Sequence, residues 1–97
     1  MNKRTNTYKL TLEELSLARE DDVKNDTLQI EFSNHDNIFK IIEAVKSKNL
    51  FQSENESIEF AIGLKMFSEV MLKNRNNELF KKLSPAFGEF MKALKSK

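Results

Sequence analysis

The chain contains no cysteine. Disulfides, thiolate metal sites and thiol nucleophiles are therefore excluded together. Tryptophan is also missing, and tyrosine occurs once, at Tyr8. The remaining aromatics are eight phenylalanines. They lack a polar handle, so they read as core and not as a ligand-stacking surface. The only glycines, Gly63 and Gly88, stand far apart, and neither opens a helix after a strand. That excludes a glycine-rich phosphate loop. The single histidine, His35, is too little for a zinc site built from several nitrogen or sulfur ligands. No apolar run approaches the roughly 18 residues of a membrane span. The first residues, Met1-Asn2-Lys3-Arg4-Thr5-Asn6, are basic but lead into no apolar stretch, so no secretory signal is expected. These absences point to a cytoplasmic protein with no cofactor and no metal.

What is present describes a folded domain. Ninety-seven residues, 39% hydrophobic and 32% charged, are too apolar for disorder and too few for two independent cores. Residues 1–97 are read as one domain, with residues 1–5 frayed. The net charge of +1 hides an asymmetry. Residues 1–64 carry 8 Lys/Arg against 12 Asp/Glu, a net of −4, and residues 65–97 carry 8 against 3, a net of +5. Solvated helix faces differ in sign by chance. A basic face that meets an acidic partner, or the acidic half of a second copy, produces the same asymmetry.

Period-2 alternation places Tyr8, Leu10 and Leu12 on one face of a first strand. Leu15 and Leu17 continue the alternation out of phase, which asks for a bulge or turn near Glu13-Glu14. Residues 18–26 are polar and form the loop of a hairpin. Their Glu20-Asp21-Asp22 cluster lacks the glycine and alternating oxygen ligands of a calcium loop. Leu28, Ile30 and Phe32 then line the same face of an antiparallel second strand. Two strands alone are marginal in water, so helices are expected to cover that face.

Asn34-His35-Asp36 supplies helix-capping residues, and Ile38, Ile41, Ile42 and Val45 recur at helical spacing. A first helix is expected from Asp36 to Lys48. Ser53-Glu54-Asn55-Glu56 fits a capping box and opens a long helix over about residues 54–74, ended by the asparagines after Lys73. Glu78 to Leu83 reads as a short helix. Ser84-Pro85 reads as an N-cap with proline at the first position of a last helix, which carries Phe87, Phe90, Met91 and Leu94. The predicted fold is α+β: a two-stranded antiparallel hairpin packed on three main helices, in the order β-β-α-α-short helix-α.

On a wheel of about 100° per residue, the long helix groups Phe60, Leu64, Phe67 and Met71 in one stripe. Ile58 and Ile62 lie opposite, and Met66 bridges, leaving an apolar excess that offers an interface. The first half of the helix is expected at the centre of the domain and its last turns at the surface. On the polar side, Lys65, Glu69 and Lys73 repeat at i, i+4, i+8. The ordinary reading is a solvated ladder, and the functional one is a carboxylate between two ammoniums that receives a polar ligand. His35, the one residue suited to acid–base work near neutral pH, sits at a strand-to-helix junction. No nucleophile accompanies it, so a capping or packing role is favoured. Lys65, Glu69, Lys73 and His35 form the candidate interaction surface. The two glycines lie inside predicted helices at a cost of roughly 1 kcal/mol each, and close helix–helix or helix–strand approach is the expected reason.

Three blocks together resemble domain-of-unknown-function family 3861, a group of small bacterial proteins. They are Asn34-His35-Asp36 before Ile38-Phe39, the run from Gly63 to Lys73, and Pro85-Ala86-Phe87-Gly88-Glu89-Phe90-Met91-Lys92. The resemblance implies an α+β domain and a bacterial source. It implies no activity and carries over no catalytic or binding residue. Three functions fit the residues: an interaction or regulatory module without catalytic activity, acting on a protein partner or as a homodimer; a small-ligand binder or minor enzyme using Lys65, Glu69 and His35; and a nucleic-acid accessory protein using the basic C-terminal half. The first is favoured. The third is disfavoured, because the sheet offers one tyrosine and acidic neighbours where nucleic-acid readers interleave aromatics with basic residues.

Overall fold

The computed structural model describes residues 4–97. Two strands, β1 (Asn6–Leu12) and β2 (Leu28–Asn34), precede three helices, α1 (Ile38–Lys48), α2 (Glu54–Lys73) and α3 (Glu78–Lys95). They form two compact units, a hairpin unit that ends at His35 and a helical unit, Asp36–Lys97. The α+β class and the antiparallel hairpin followed by helices match the sequence reading, with the expected short helix absorbed into α3. Of residues 1–5, expected to fray, residues 1–3 lie outside the described residues.

In the hairpin unit the strands pair antiparallel, with Tyr8 opposite Phe32, Leu10 opposite Ile30 and Leu12 opposite Leu28. The six residues assigned to one face are thus direct cross-strand partners. The Tyr8 and Phe32 rings lie 5.6 Å apart, an aromatic pair of the kind that fixes register. At the other end Leu12 and Leu28 are exposed. The strand stops at Leu12, so Leu15 and Leu17 belong to the connection and not to a continued strand. Glu14 ties this connection together by accepting from the backbone N–H and side-chain amide of Asn25.

The helical unit holds the core. Among the described residues, the buried hydrophobic side chains are Ile38, Ile42, Val45, Ala61, Leu64 and Met71. α1 packs on α2. Its buried residues recur at i, i+4, i+7, and those of α2 at Ser57, Ala61, Leu64 and Ser68. The α2 stripe is small except at Leu64, which lets a neighbouring helix approach closely.

Asparagine and serine punctuate the helices. Asn37, one residue beyond the expected cap, accepts from Lys40 N–H, so α1 starts at Ile38 and not at Asp36. Asn49 ends α1 in the left-handed region at φ 53°, which asparagine tolerates better than most residues. Ser53 caps α2 by accepting from Glu56 N–H at 3.1 Å, as the capping box predicts. Asn74 ends α2, its side-chain amide donating to Val70 O at 2.8 Å. Asn77 begins α3 by accepting from Leu79 N–H at 2.9 Å.

The short helix and the last helix are one. α3 runs unbroken from Glu78 to Lys95 with Pro85 inside it. Proline there removes an i→i−4 hydrogen bond, so something must hold both sides. Phe67 of α2 does so, with its ring 6.0 Å from Phe80 before the proline and 6.0 Å from Phe87 after it. The apolar spacing Phe80, Leu83, Phe87, Phe90, Leu94 continues in phase through Pro85, and that continuity outweighs the local break signal.

Candidate functional site

The Lys65-Glu69-Lys73 side of α2 is not the solvated ladder expected. Glu69 is buried, at 7% exposure, and the Lys65 side chain retains 14%; of the three, Lys73 alone is exposed. The burial of α2 therefore extends to its last turns, through Ser68, Glu69 and Met71, and is not confined to the first half. Ile58, Ile62 and Met66, expected as an apolar excess, are half-buried.

The Lys65 ammonium pairs with the Asp36 carboxylate at 2.5 Å. Asp36 lies just ahead of α1, so this pair ties the approach to α1 onto the middle of α2. His35, the fourth candidate, is exposed and belongs to the hairpin unit, whereas the other three ride on one helix. Buried polar atoms here are satisfied: among the described residues no buried side-chain nitrogen or oxygen lacks a hydrogen-bond partner. Among the described residues Asn34, at 1% exposure, is the most buried polar one, and its only local signal is its place in a capping triplet.

Lys65 and Asp36 sit at the edge of a cavity of about 370 Å³ where α1, α2 and α3 meet. Its floor is apolar, made by Ile41, Val45, Leu64, Met91 and Leu94. Lys48 and Lys95 complete the rim. Lys48 also donates to the Lys97 backbone carbonyl at 3.1 Å, linking the end of α1 to the end of α3. In the sequence, Asp36 reads only as a capping residue and Lys48 only as the end of a helix. No local spacing could find them, because the site joins positions that are distant along the chain.

A second feature is aromatic. Phe51, Phe60, Phe90, Phe87, Phe67 and Phe80 form a continuous chain of ring contacts, with centroids 5.1–6.3 Å apart, along the α2–α3 seam. Such pairs add about 0.5–1.5 kcal/mol each beyond area burial. Yet none of the α3 residues is buried. Leu79 is 72% exposed, Phe90 44% and Phe67 43%. The phenylalanines read as core form an open laminate instead.

The glycines also depart from expectation. A methyl group placed at Gly63 or Gly88 would meet nothing within 4 Å, so neither is kept small by a neighbouring helix or strand. Among the described residues no cluster of His, Asp or Glu could hold a metal ion, and no helix is long and apolar enough to cross a membrane.

The chain is similar to a crystal structure of a protein of unknown function from Pectobacterium atrosepticum. The two share 38% identity, the match covers 95% of this chain and 98% of the other, and the TM-score is 0.80. No curated protein matches. The model of a domain of unknown function with a solved structure, DUF3861, matches residues 6–96, and the chain belongs to that family.

Proposed function

We propose that this chain is a small non-catalytic interaction module of the bacterial cytoplasm, and that it docks an acidic protein partner through the open α2–α3 face. The observation that carries this reading is that α3, a helix of 18 residues with one apolar face, buries none of them. Leu79, Leu83 and Phe90 on α3 and Phe67 and Val70 on α2 are all exposed, and Phe67 meets α3 at Phe80 and Phe87. Clustered exposure of this kind marks interaction surfaces, whereas isolated apolar residues do not. Residues 65–97 carry a net charge of +5, which favours a partner rich in Asp and Glu. The exposed apolar residues of the face suit a protein partner better than nucleic acid, which is bound chiefly through its phosphates. Lys81 and Lys92, two lysines of α3, pair with Glu78 and Glu89 one turn earlier, at 3.3 and 3.8 Å.

Light scattering on the purified chain, with affinity capture from the native cell, tests the reading. The wild-type chain is expected to self-associate or to retain a partner that the double variant Leu83→Glu, Phe90→Glu loses. A strictly monomeric protein, with identical captured material for both forms, would sink it.

A further inference from the structure

The cavity at the junction of the three helices adjoins the open α2–α3 face, sharing Leu64 with the groove lined by Leu83, Phe87 and Phe90, but its chemistry is different. At about 370 Å³ it falls in the lower part of the range of small-molecule sites, which starts near 300 Å³. Its floor is a continuous apolar surface of Ile41, Val45, Leu64, Met91 and Leu94. Its rim carries three lysines and one aspartate. Asp36 pairs directly with Lys65; the other two charged side chains of the lining, Lys48 and Lys95, are both cationic.

We propose that this cavity binds a free medium-chain carboxylate, with its apolar chain on the floor and its head group between Lys48 and Lys95. Three features select that class. The polar groups of the lining are three lysines and one aspartate, which give the hydroxyls of a sugar few partners, whereas its apolar residues favour a hydrocarbon chain by about 0.8 kcal/mol per buried methylene. A net positive rim favours an anion and disfavours an amine. The wall from Ile41 to Lys48 rises about 10 Å along α1, at roughly 1.5 Å per residue, which suits a chain of about eight carbons.

Lys48 is already oriented. It donates to Lys97 O at 3.1 Å, and an ammonium has three donors, so two remain for a carboxylate. Lys65, held by Asp36, closes the far wall and does not compete for the head group. Bound in this way, the ligand would contact all three helices. It would therefore stabilise α3, the helix that the rest of the fold buries least.

Octanoate, octanol and acetate are the probes, followed by methyl NMR on the full chain. Octanoate is expected to shift the Met91 and Leu64 methyl signals saturably. Octanol, lacking charge, and acetate, lacking the chain, should each bind at least about tenfold more weakly, since a charge-assisted contact is worth roughly one decade in affinity. The variant Lys48→Gln, Lys95→Gln should lose about tenfold for octanoate and leave octanol unchanged. Its thermal melt, followed by circular dichroism, confirms that it folds. The proposal is overturned by any of four results: no saturable shift in the wild-type chain, equal affinity for octanol and octanoate, shifts only where octanoate self-associates, or shifts confined to a second, apolar groove lined by Leu50, Phe51, Phe60 and Ala93.

Discussion

α2 faces two neighbours in opposite ways. Toward α1 the unit is sealed: Ile38, Ile42 and Val45 keep 4%, 8% and 3% of their surface, and Ala61 on α2 keeps none. Toward α3 it is open, although the seam contains six phenylalanines and the sealed side contains none among its buried residues. Small residues let backbones approach until solvent is excluded, while large rings hold two helices apart and touch edge to face. Aromatic content therefore marks contact here and not closure. In this chain the aliphatic and small residues make up the buried core, and the phenylalanines line a seam that stays partly open to solvent.

The largest expected effect tests that contrast directly. Ile42→Ala removes a buried side chain from the sealed side and should cost about 3 kcal/mol. Phe67→Ala removes a larger side chain that bridges Phe80 and Phe87, but 43% of it already faces solvent. About 2 kcal/mol is expected, discounted from the 3–5 kcal/mol of a buried phenylalanine. Urea denaturation at low protein concentration measures both. If Phe67→Ala costs more than Ile42→Ala, the α2–α3 face is closed in solution, by self-association or by a movement of α3, and the comparison fails.

Pro85 comes next. Proline in a helix interior is about 3 kcal/mol less favourable than alanine, part of which is offset by its stiffening of the unfolded chain. Pro85→Ala should therefore stabilise α3 by about 1–2 kcal/mol, read as a higher urea midpoint with an unchanged slope. A destabilised variant would mean that the proline terminates one helix and starts another in solution.

The hairpin register, the Ser53 cap, the limits of α2 and the asparagine stops were legible because each depends on neighbours in sequence. Local spacing sets alternation, capping and turn preference. The errors share a cause as well. Ser84-Pro85 has the local form of a helix start, but the phase of Phe80, Leu83 and Phe87 across it, held by Phe67, decides the outcome. Lys65-Glu69-Lys73 has the local form of a solvated ladder, but Asp36, distant in sequence, takes Lys65, and Glu69 is buried. Lys48 and Lys95 reach the candidate cavity through the meeting of α1 and α3, which no periodicity within either helix encodes.

The smallest effect concerns Gly63 and Gly88, and it distinguishes two reasons for keeping a glycine. Neither adopts a positive φ, and a Cβ at either site meets open space. Alanine should therefore stabilise each helix by about 0.5–1 kcal/mol, a rise in Tm of roughly 2–8 °C for a domain of this size. On the helical wheel Gly63 falls beside Phe67 and Val70, at the margin of the open face, whereas Gly88 lies on the polar side of α3 away from Phe87 and Phe90. If a partner's backbone closes on that face, Gly63→Ala should raise Tm and weaken capture, while Gly88→Ala should raise Tm alone. Thermal melts paired with the capture assay separate the two. Equal capture by both variants would show that Gly63 is not held small by the partner.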